Sequence, residues 1–265
     1  MKILKGIASL IVGAIVAAAL SACGGAKLSV ADEQYQRGEY FEAQKTYRKI
    51  YNKLTKREER PQRGAVAYKM GLCYDKLGMS ARASSAFANA VRYGYPDSTA
   101  TLLMARSLQA EGKYTPAAKA YEDFLKLNPK SEEAENGLAG CRWALARKGN
   151  PTRYVVRQAK MFNSRRADYA PMFLDPTTAD VLYFTTTNEK VTGDRKSEIT
   201  GMKKGDIWFS RQNEKGEWQR PEPVEGELNT EMDEGVISFT PDGSTMYLSR
   251  ARREPCLLYT SDAAD

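Results

Sequence analysis

The feature that most constrains this chain is a repeated pattern of small and aromatic residues in its first half. Three segments align, each with a glycine, an alanine five residues later and an aromatic residue four residues after the alanine: Gly38, Ala43 and Tyr47; Gly78, Ala83 and Phe87; Gly112, Ala117 and Tyr121. The second and third segments are 34 residues apart, and the first and second are 40 apart. Such a period indicates a stack of similar units, each burying its apolar face against the next.

The repeated positions suit pairs of antiparallel helices. Each glycine would take the left-handed position that follows a helix end, and another small residue precedes each glycine by seven positions: Ala31, Gly71 and Ala105. The small residues let two helices approach closely, and the aromatic residues fill the space beside them. The pattern resembles the tetratricopeptide repeat, a helix–turn–helix unit. The resemblance implies an α-solenoid over residues 28–148 and protein partners, while the repeat alone leaves open whether its groove binds peptide.

Local signals predict where these helices begin and end. Thr115-Pro116 is predicted as the N-cap and first residue of a helix. Tyr95-Pro96 and Asn128-Pro129 close the second and third units, and the charged stretch Thr55–Arg60 is interpreted as an insertion between units. A further helix from Glu132 to about Arg147 is predicted as the first helix of a fourth unit or as a cap of the solenoid. Its apolar residues are Leu138, Cys141, Trp143 and Leu145.

After Gly149-Asn150-Pro151 the helical period stops and strand-like segments begin. The predicted strands are β-branched or aromatic runs between turn residues: Val155-Val156, Val181–Thr187, Asp206–Ser210, Val236–Thr240 and Thr245–Ser249. A second repeat relates them, because several residues recur 66 positions later: Asn163-Ser164 as Asn229-Thr230, Asp168 as Glu234, and Phe173 as Phe239. Tyr183 recurs as Tyr247 after 64 positions. Pro241-Asp242-Gly243 predicts the tight turn of a hairpin.

This order of motifs resembles the WD40-like repeat of bacterial envelope proteins, which is related to the propeller of TolB. Four strands per unit is the arrangement of a propeller blade, and a propeller needs about four or more blades to close. The resemblance therefore implies that residues 149–254 form the first one to two blades of an incomplete β-propeller. Residues 255–265, including Cys256, fit no strand pattern and are interpreted as a non-native tail. The expected fold class is multidomain, α then β.

The first residues have the pattern of a secretory signal. Lys2 and Lys5 precede an apolar run that ends in Leu20-Ser21-Ala22-Cys23, and the run is short for a membrane span. The last four residues resemble a bacterial lipobox. The resemblance implies a signal peptide over residues 1–22, a lipidated Cys23 and a lipid-anchored segment 23–27. Gly24 follows instead of an aspartate, which by analogy favours the outer membrane, and the lack of an acidic cluster favours an anchor facing the periplasm.

The remaining residue types exclude several function classes. The sequence has no histidine, and histidine is the commonest general base and metal ligand. It also lacks the motifs of serine hydrolases, phosphate loops, zinc sites and calcium loops. We therefore expect a non-enzyme with no catalytic residue, cofactor or metal site, and no partner-binding residue is assigned. Cys73 and Cys141 are expected in the helical core. The net charge of +7 is interpreted as a solvated basic surface, without nucleic-acid binding.

The complete order of segments resembles a family of Bacteroidetes envelope lipoproteins. Members usually carry a C-terminal OmpA-like domain that binds peptidoglycan, and one type anchors the type IX secretion machinery. The resemblance implies an outer-membrane scaffold that contacts the membrane through its lipid, protein partners directly, and peptidoglycan only through a domain missing here. Two alternatives stay open: the front of a serine peptidase gated by a propeller, and a glycan-binding uptake lipoprotein.

Overall fold

The computed structural model describes residues 28–150 and 153–251. The predicted signal peptide, Cys23, the segment 23–27 and the tail 255–265 lie outside the described residues. Contacts divide the chain into two compact units, and the main boundary lies between Tyr154 and Val155. The first unit is helical and the second is built from β-strands.

The helical unit contains seven helices within its described residues. Their bounds are 28–36 for α1, Tyr40–Lys53 for α2, Arg60–Lys76 for α3, Ser80–Arg92 for α4, Thr99–Ala110 for α5, Tyr114–Leu127 for α6 and Glu132–Ala146 for α7. Consecutive helices from α2 to α7 pack against each other, and α5 also contacts α7. This arrangement confirms the predicted succession of helix pairs.

The glycine at the end of each predicted first helix has the left-handed conformation that was expected. The φ angles of Gly38, Gly78 and Gly112 are +80°, +66° and +74°. At Gly78 the turn closes with two backbone hydrogen bonds, in which the N–H of Gly78 donates to the carbonyl of Asp75 and the N–H of Met79 donates to that of Tyr74. A side chain at this φ would be strained, so glycine allows the chain to reverse into the second helix.

The repeated small and aromatic residues form the core of the helical unit, as predicted. The alanines of the pattern are completely buried: Ala31, Ala43, Ala83, Ala105 and Ala117. Tyr47, Phe87 and Tyr121 are buried beside them. At Gly71 a Cβ atom would lie only 2.5 Å from Cε1 of Phe87, so this ring occupies the space that the missing side chain leaves.

Two local predictions for the helices are wrong. Helix α6 begins at Tyr114 with Lys113 at its N-cap, so Thr115 is not the cap. Pro116 still fits because it lies in the first turn, where backbone N–H groups have no partner within the helix. The stretch Thr55–Arg60 is also not an enlarged loop. Helix α3 has 17 residues and α5 has 12, so most of the extra length lies in α3.

The second unit contains a four-stranded antiparallel sheet and a two-stranded hairpin. The sheet has the order β1-β2-β3-β4, with β1 at Asp168–Phe173, β2 at Val181–Thr186, β3 at Asp206–Arg211 and β4 at Glu222–Pro223. The hairpin pairs β5 at Glu234–Phe239 with β6 at Met246–Arg250. These elements are the four strands of one predicted unit and the opening strands of the next, and the described residues form no closed propeller.

One strand prediction is wrong. Val155 and Val156 lie in no strand and are largely exposed to solvent. A pair of β-branched residues favours an extended backbone, but a strand forms only where a neighbouring strand accepts its hydrogen bonds, and this segment has none.

The predicted 66-residue repeat is confirmed by equivalent hydrogen bonds at the start of its two copies, both of which lie in the second unit. The N–H of Ser164 donates to the carboxylate of Asp168, and the N–H of Thr230 donates to that of Glu234 at 3.1 Å. The hydroxyl of Ser164 accepts from the N–H of Arg166, as the hydroxyl of Thr230 accepts from that of Met232, both at 3.0 Å. The two copies of the 66-residue repeat therefore begin with the same turn.

Candidate functional site

The helical unit contains a cavity of about 300 Å³ that we call the tyrosine groove. Helices α1 and α3 provide most of its wall, and the connection after α4 provides one tyrosine. Half of its eight lining residues are tyrosines: Asp32, Tyr35, Gln36, Tyr47, Tyr68, Lys69, Leu72 and Tyr95. A cavity of this size lies at the lower end of the range found for ligand pockets and has room for one or two side chains of a partner.

Helical spacing explains why these residues share one surface. On α1, Asp32, Tyr35 and Gln36 are three and four positions apart, and residues with this spacing lie on the same face of a helix. Asp32 directly follows the buried Ala31, as Leu72 on α3 directly follows the buried Gly71. The small residues thus face the second helix of each pair, whereas their neighbours line the groove.

The charges in the tyrosine groove neutralise each other. The ammonium group of Lys69 donates to both carboxylate oxygens of Asp32, at 2.7 and 2.8 Å. The hydroxyl of Tyr47 donates to the same carboxylate. Both ionic side chains are more than a third exposed, so this ion pair adds little to stability. Its main consequence is a groove without net charge.

The phenols of the groove are held in their neutral form. Burial raises the pKa of Tyr35 and of Tyr68 above the usual range of a phenol. The pKa of Tyr47 is raised by burial and by its hydrogen bond to Asp32. The Tyr68 and Tyr95 rings stack with their centroids 4.3 Å apart. Neutral phenols combine an apolar ring with a hydroxyl that donates or accepts, and this combination is favoured where one protein contacts another.

The structure places the two described cysteines where the sequence predicts them. Cys73 and Cys141 are free, completely buried and in different clusters of the helical core. Burial raises the pKa of the Cys73 thiol to about 12, so this thiol is protonated and unreactive at neutral pH. Cys23, the predicted lipidation site, stays a prediction because it lies outside the described residues.

The described residues contain neither a cluster suited to a metal ion nor a helix suited to a membrane. No group of three or more acidic or cysteine residues within 28–150 and 153–251 is placed to hold a metal ion. In the same part of the chain, no helix combines the length and the apolar character that crossing a bilayer requires.

Reasoning from the sequence missed the tyrosine groove. The sequence pattern marks Tyr95 only as the end of the second helical repeat, and it marks neither Tyr35 nor Tyr68. The available signal lies in two other lining residues, Asp32 and Leu72, each of which directly follows one of the repeated small residues. The stacking of successive helix pairs decides which exposed positions of the first helices meet in one cavity.

Comparisons with known proteins concern the helical unit. A tetratricopeptide repeat family model matches residues 65–98 and 99–131, which cover the predicted second and third units. No curated protein matches the sequence. Similar solved structures include the first tetratricopeptide domain of Spaghetti (RPAP3) bound to an HSP90 peptide, with 25% identity, 46% of this chain and 93% of that chain covered, and a TM-score of 0.40.

Two further solved structures are similar to this chain. The myosin chaperone UNC-45 from C. elegans, in complex with a Hsp90 peptide, is 18% identical, covers 47% of this chain and 14% of its own, and has a TM-score of 0.42. The Sgt2 domain from Aspergillus fumigatus is 17% identical, covers 51% and 89%, and has a TM-score of 0.39. The helical unit carries tetratricopeptide repeats, a fold that typically serves as a non-catalytic scaffold for protein interactions.

Proposed function

We propose that this protein is a lipid-anchored scaffold at the outer membrane, facing the periplasm, whose helical unit binds a segment of a protein partner. The observation that carries the binding role is the match of a tetratricopeptide repeat family model to residues 65–131. The tyrosine groove supports it, because it provides an aromatic surface without net charge in the same unit.

The chemistry of the groove favours a partner segment with an aromatic or aliphatic side chain. Tyr68 and Tyr95 offer stacked rings to that side chain, and the phenol hydroxyls can hydrogen-bond to the peptide backbone. Lys69 is engaged by Asp32, so the groove presents no unpaired charge that would select an acidic or a basic residue. Aromatic pockets of this kind contribute a large part of the free energy of binding at protein interfaces.

The remaining parts of the proposal rest on sequence motifs. The lipobox supports acylation of Cys23 and anchoring in the outer membrane. The repeated turns at Ser164 and Thr230 support a propeller of WD40-like blades, of which residues 149–254 form the first part. By the resemblance to envelope lipoproteins, an OmpA-like domain C-terminal to these blades would bind peptidoglycan, and the assembly would serve an envelope or secretion complex such as type IX secretion.

Site-specific photocrosslinking in bacterial cells tests the groove. A benzophenone amino acid replaces Tyr68 in one variant and the exposed Lys119 on α6 in a matched control. We expect a discrete crosslinked protein from position 68 that is absent from position 119 and is lost when Tyr95→Ala is added. Equal crosslinking from both positions would show that the groove does not select a partner.

Labelling with radioactive palmitate tests the anchor. The protein expressed in a bacterium that processes lipoproteins should take up label. Cys23→Ala should abolish the label, whereas Cys141→Ala, which alters a buried thiol, should retain it. Label that persists in Cys23→Ala would contradict the anchor and leave the groove unaffected.

A further inference from the structure

The second unit contains a cavity of about 860 Å³ that we call the basic cavity. Its lining residues come from three parts of that unit: the segment 161–166 before β1, strand β2 with the loop that follows it, and strand β3 with the segment 220–223. A volume of this size lies within the range found for small-molecule pockets. The basic cavity is therefore large enough for a whole small ligand, in contrast to the tyrosine groove.

The floor of the basic cavity is a row of apolar side chains across three strands. Phe184 of β2 pairs with Trp208 of β3, and Trp208 pairs with Pro223 of β4, so the three side chains lie on the same face of the sheet. The ring of Phe162 stands edge-on to that of Phe184, with the two centroids 5.8 Å apart. This floor suits a ligand with a flat apolar body, because aromatic rings prefer stacked or edge-to-face contacts.

The rim of the basic cavity carries an excess of positive charge. Four cations and two carboxylates line it: Arg165, Arg166, Glu189, Lys190, Arg220 and Glu222. Arg166 and Glu189 form an ion pair, which leaves three cations against the carboxylate of Glu222. None of these three cations forms an ion pair with another described residue. The basic cavity therefore has a net charge of +2.

This positive charge is local, because the surrounding sequence is acidic. Residues 151–265 contain 16 Lys and Arg against 19 Asp and Glu, so a net positive cavity is a concentration of cations within an acidic part of the chain. A concave site lined by one sign of charge attracts ligands of the opposite sign. The guanidinium group of arginine also matches the geometry of a carboxylate.

A buried donor at the floor of the cavity is a second observation that indicates an acidic ligand. Trp208 lines the cavity and is 8% exposed, and its indole Nε1 has no hydrogen-bond acceptor within the described part of the chain. Buried polar groups are almost always paired, and an ionised carboxylate is a strong acceptor. A carboxylate ligand therefore suits both the rim and the floor.

We infer that the basic cavity binds a small organic acid, whose flat apolar body rests on the floor at Phe184 and Trp208 and whose carboxylate contacts the three unpaired cations of the rim. An apolar floor alone would accept a neutral ligand, and the cations alone an inorganic anion, so the combination selects a molecule that has both parts. All lining residues belong to the second unit. The inference goes beyond the proposed function, and its failure would leave the tyrosine groove and the lipid anchor untouched.

Titration of the full chain with three probes tests both parts of the inference. The indole N–H signals of the three tryptophans are followed by NMR, because Trp208 reports on the cavity and Trp143, on α7, is the internal control. We expect 2-naphthoate to shift the Trp208 signal saturably and to leave that of Trp143 unchanged. 2-Naphthamide, which lacks the charge, and inorganic phosphate, which lacks the apolar body, should bind at least about tenfold more weakly. Equal affinity for either of them would overturn the inference.

Charge variants test where the carboxylate binds. Arg165→Gln and Arg220→Gln combined in one chain should weaken the binding of 2-naphthoate at least about tenfold, because contacts to an ionised group are lost, and should leave that of 2-naphthamide unchanged. Lys215→Gln, in the exposed turn between β3 and β4, removes a positive charge outside the cavity and is the matched control. An equal loss of affinity in the control, or a Trp208 signal that no probe shifts, would overturn the inference.

Discussion

At the scale of single residues, close packing against aromatic rings decides which substitutions the helical unit tolerates. Gly71 and Gly140 are both glycines within helices, α3 and α7 respectively. A Cβ atom at Gly71 would lie 2.5 and 2.6 Å from two ring carbons of the buried Phe87, whereas one at Gly140 would meet only the flexible amide end of Gln109, at 3.1 Å. The same chemical change therefore has different consequences at the two positions.

Gly71→Ala is expected to destabilise the helical unit by about 1–3 kcal/mol, because Phe87 is confined and cannot move away without strain. Gly140→Ala is the control and is expected to be neutral or to stabilise by up to about 1 kcal/mol, since alanine favours a helix interior. Urea unfolding followed by far-UV circular dichroism measures both. A stable Gly71→Ala would mean that the helix pair is not packed as described.

Asp206 makes the stability of the β unit depend on pH. Its carboxylate is buried and accepts the N–H of Thr192 at 2.6 Å, while its other oxygen has no hydrogen-bond partner in the described residues. Burial raises its pKa, nearby Glu234 raises it further, and Lys203 opposes the shift. A raised pKa means that the ionised form is disfavoured in the folded state, so this group costs stability above its folded pKa and the cost disappears as pH falls through it.

Asp206→Asn is expected to raise the melting temperature of the β unit at pH 7, because the amide keeps an acceptor for Thr192 and removes the buried charge. The advantage over the original chain should shrink as pH is lowered toward 4. Thermal unfolding at several pH values measures it, with Asp180→Asn, in the exposed turn before β2, as the control. An advantage that stays constant with pH would contradict a titrating Asp206.

At the scale of elements, the helices differ in how the unpaired backbone N–H groups of their first turns find hydrogen-bond partners. Helix α7 is capped by Ser131, whose hydroxyl accepts the N–H of Ala134 at 3.3 Å. Three glutamates in its first turn also complement the partial positive charge of the helix N-terminus. In contrast, α2, α4 and α6 begin without a side-chain cap, directly after tight turns, and depend on packing against the preceding helix.

Ser131→Ala is expected to destabilise the helical unit by about 0.5–1 kcal/mol, the lower part of the usual range for an N-cap because the hydrogen bond is long. Ser85→Ala, in the exposed face of α4, is the control: its hydroxyl only bonds back to the carbonyl of Ala81, and alanine is the better helix former. The denaturant midpoints measure both changes in the free energy of unfolding, provided that the slope of this free energy against denaturant concentration is the same in all variants. Equal losses in the two variants would remove the special role of the cap.

At the scale of the whole molecule, the two units differ in how completely their elements are covered. Each of α3 to α6 packs against a helix on both sides, whereas the second unit combines a four-stranded sheet with a two-stranded hairpin. The hairpin contacts one face of the sheet through Phe239. On the other face Phe162 and Trp218 contact Phe184 and Phe173, and Phe173 stays 36% exposed. A two-stranded hairpin such as β5–β6 is only marginally stable on its own and depends on the surface against which it packs. Cooperative protection is therefore expected to be greater in the helical unit.

Hydrogen exchange on the complete chain checks this expectation. We expect the amides of α3 to α6 to exchange more slowly than those of β2, β3, β5 and β6, and limited proteolysis to cleave the β unit first. If the strands from Val181 to Ser249 exchange as slowly as the helices, the β unit is a self-sufficient domain and not an incomplete propeller.

The sequence by itself determined the elements and much of their packing. The period of glycine, alanine and aromatic residues predicted the helix pairs and their core, because small residues are needed wherever two helices approach and glycine is needed wherever the chain reverses with a positive φ. The 66-residue repeat predicted the equivalent turns at Ser164 and Thr230 for a similar reason: a local hydrogen-bond pattern requires particular side chains at fixed spacing. Requirements of this kind depend only on residues that are close to each other in the sequence.

The tertiary structure decided what depends on residues distant in the sequence. The tyrosine groove joins Tyr35, Tyr68 and Tyr95 from three segments, and no local spacing predicts that they line one cavity. The first and second repeat glycines, Gly38 and Gly78, are 40 residues apart instead of 34. Most of the additional residues lie in helix α3, which has 17 residues where α5 has 12. Val155 and Val156 have the composition of a strand but no neighbour to pair with. The repeated asparagine is a further case, because Asn229 bonds to the backbone of Ile207 whereas Asn163 is exposed, and the local sequence does not distinguish the two.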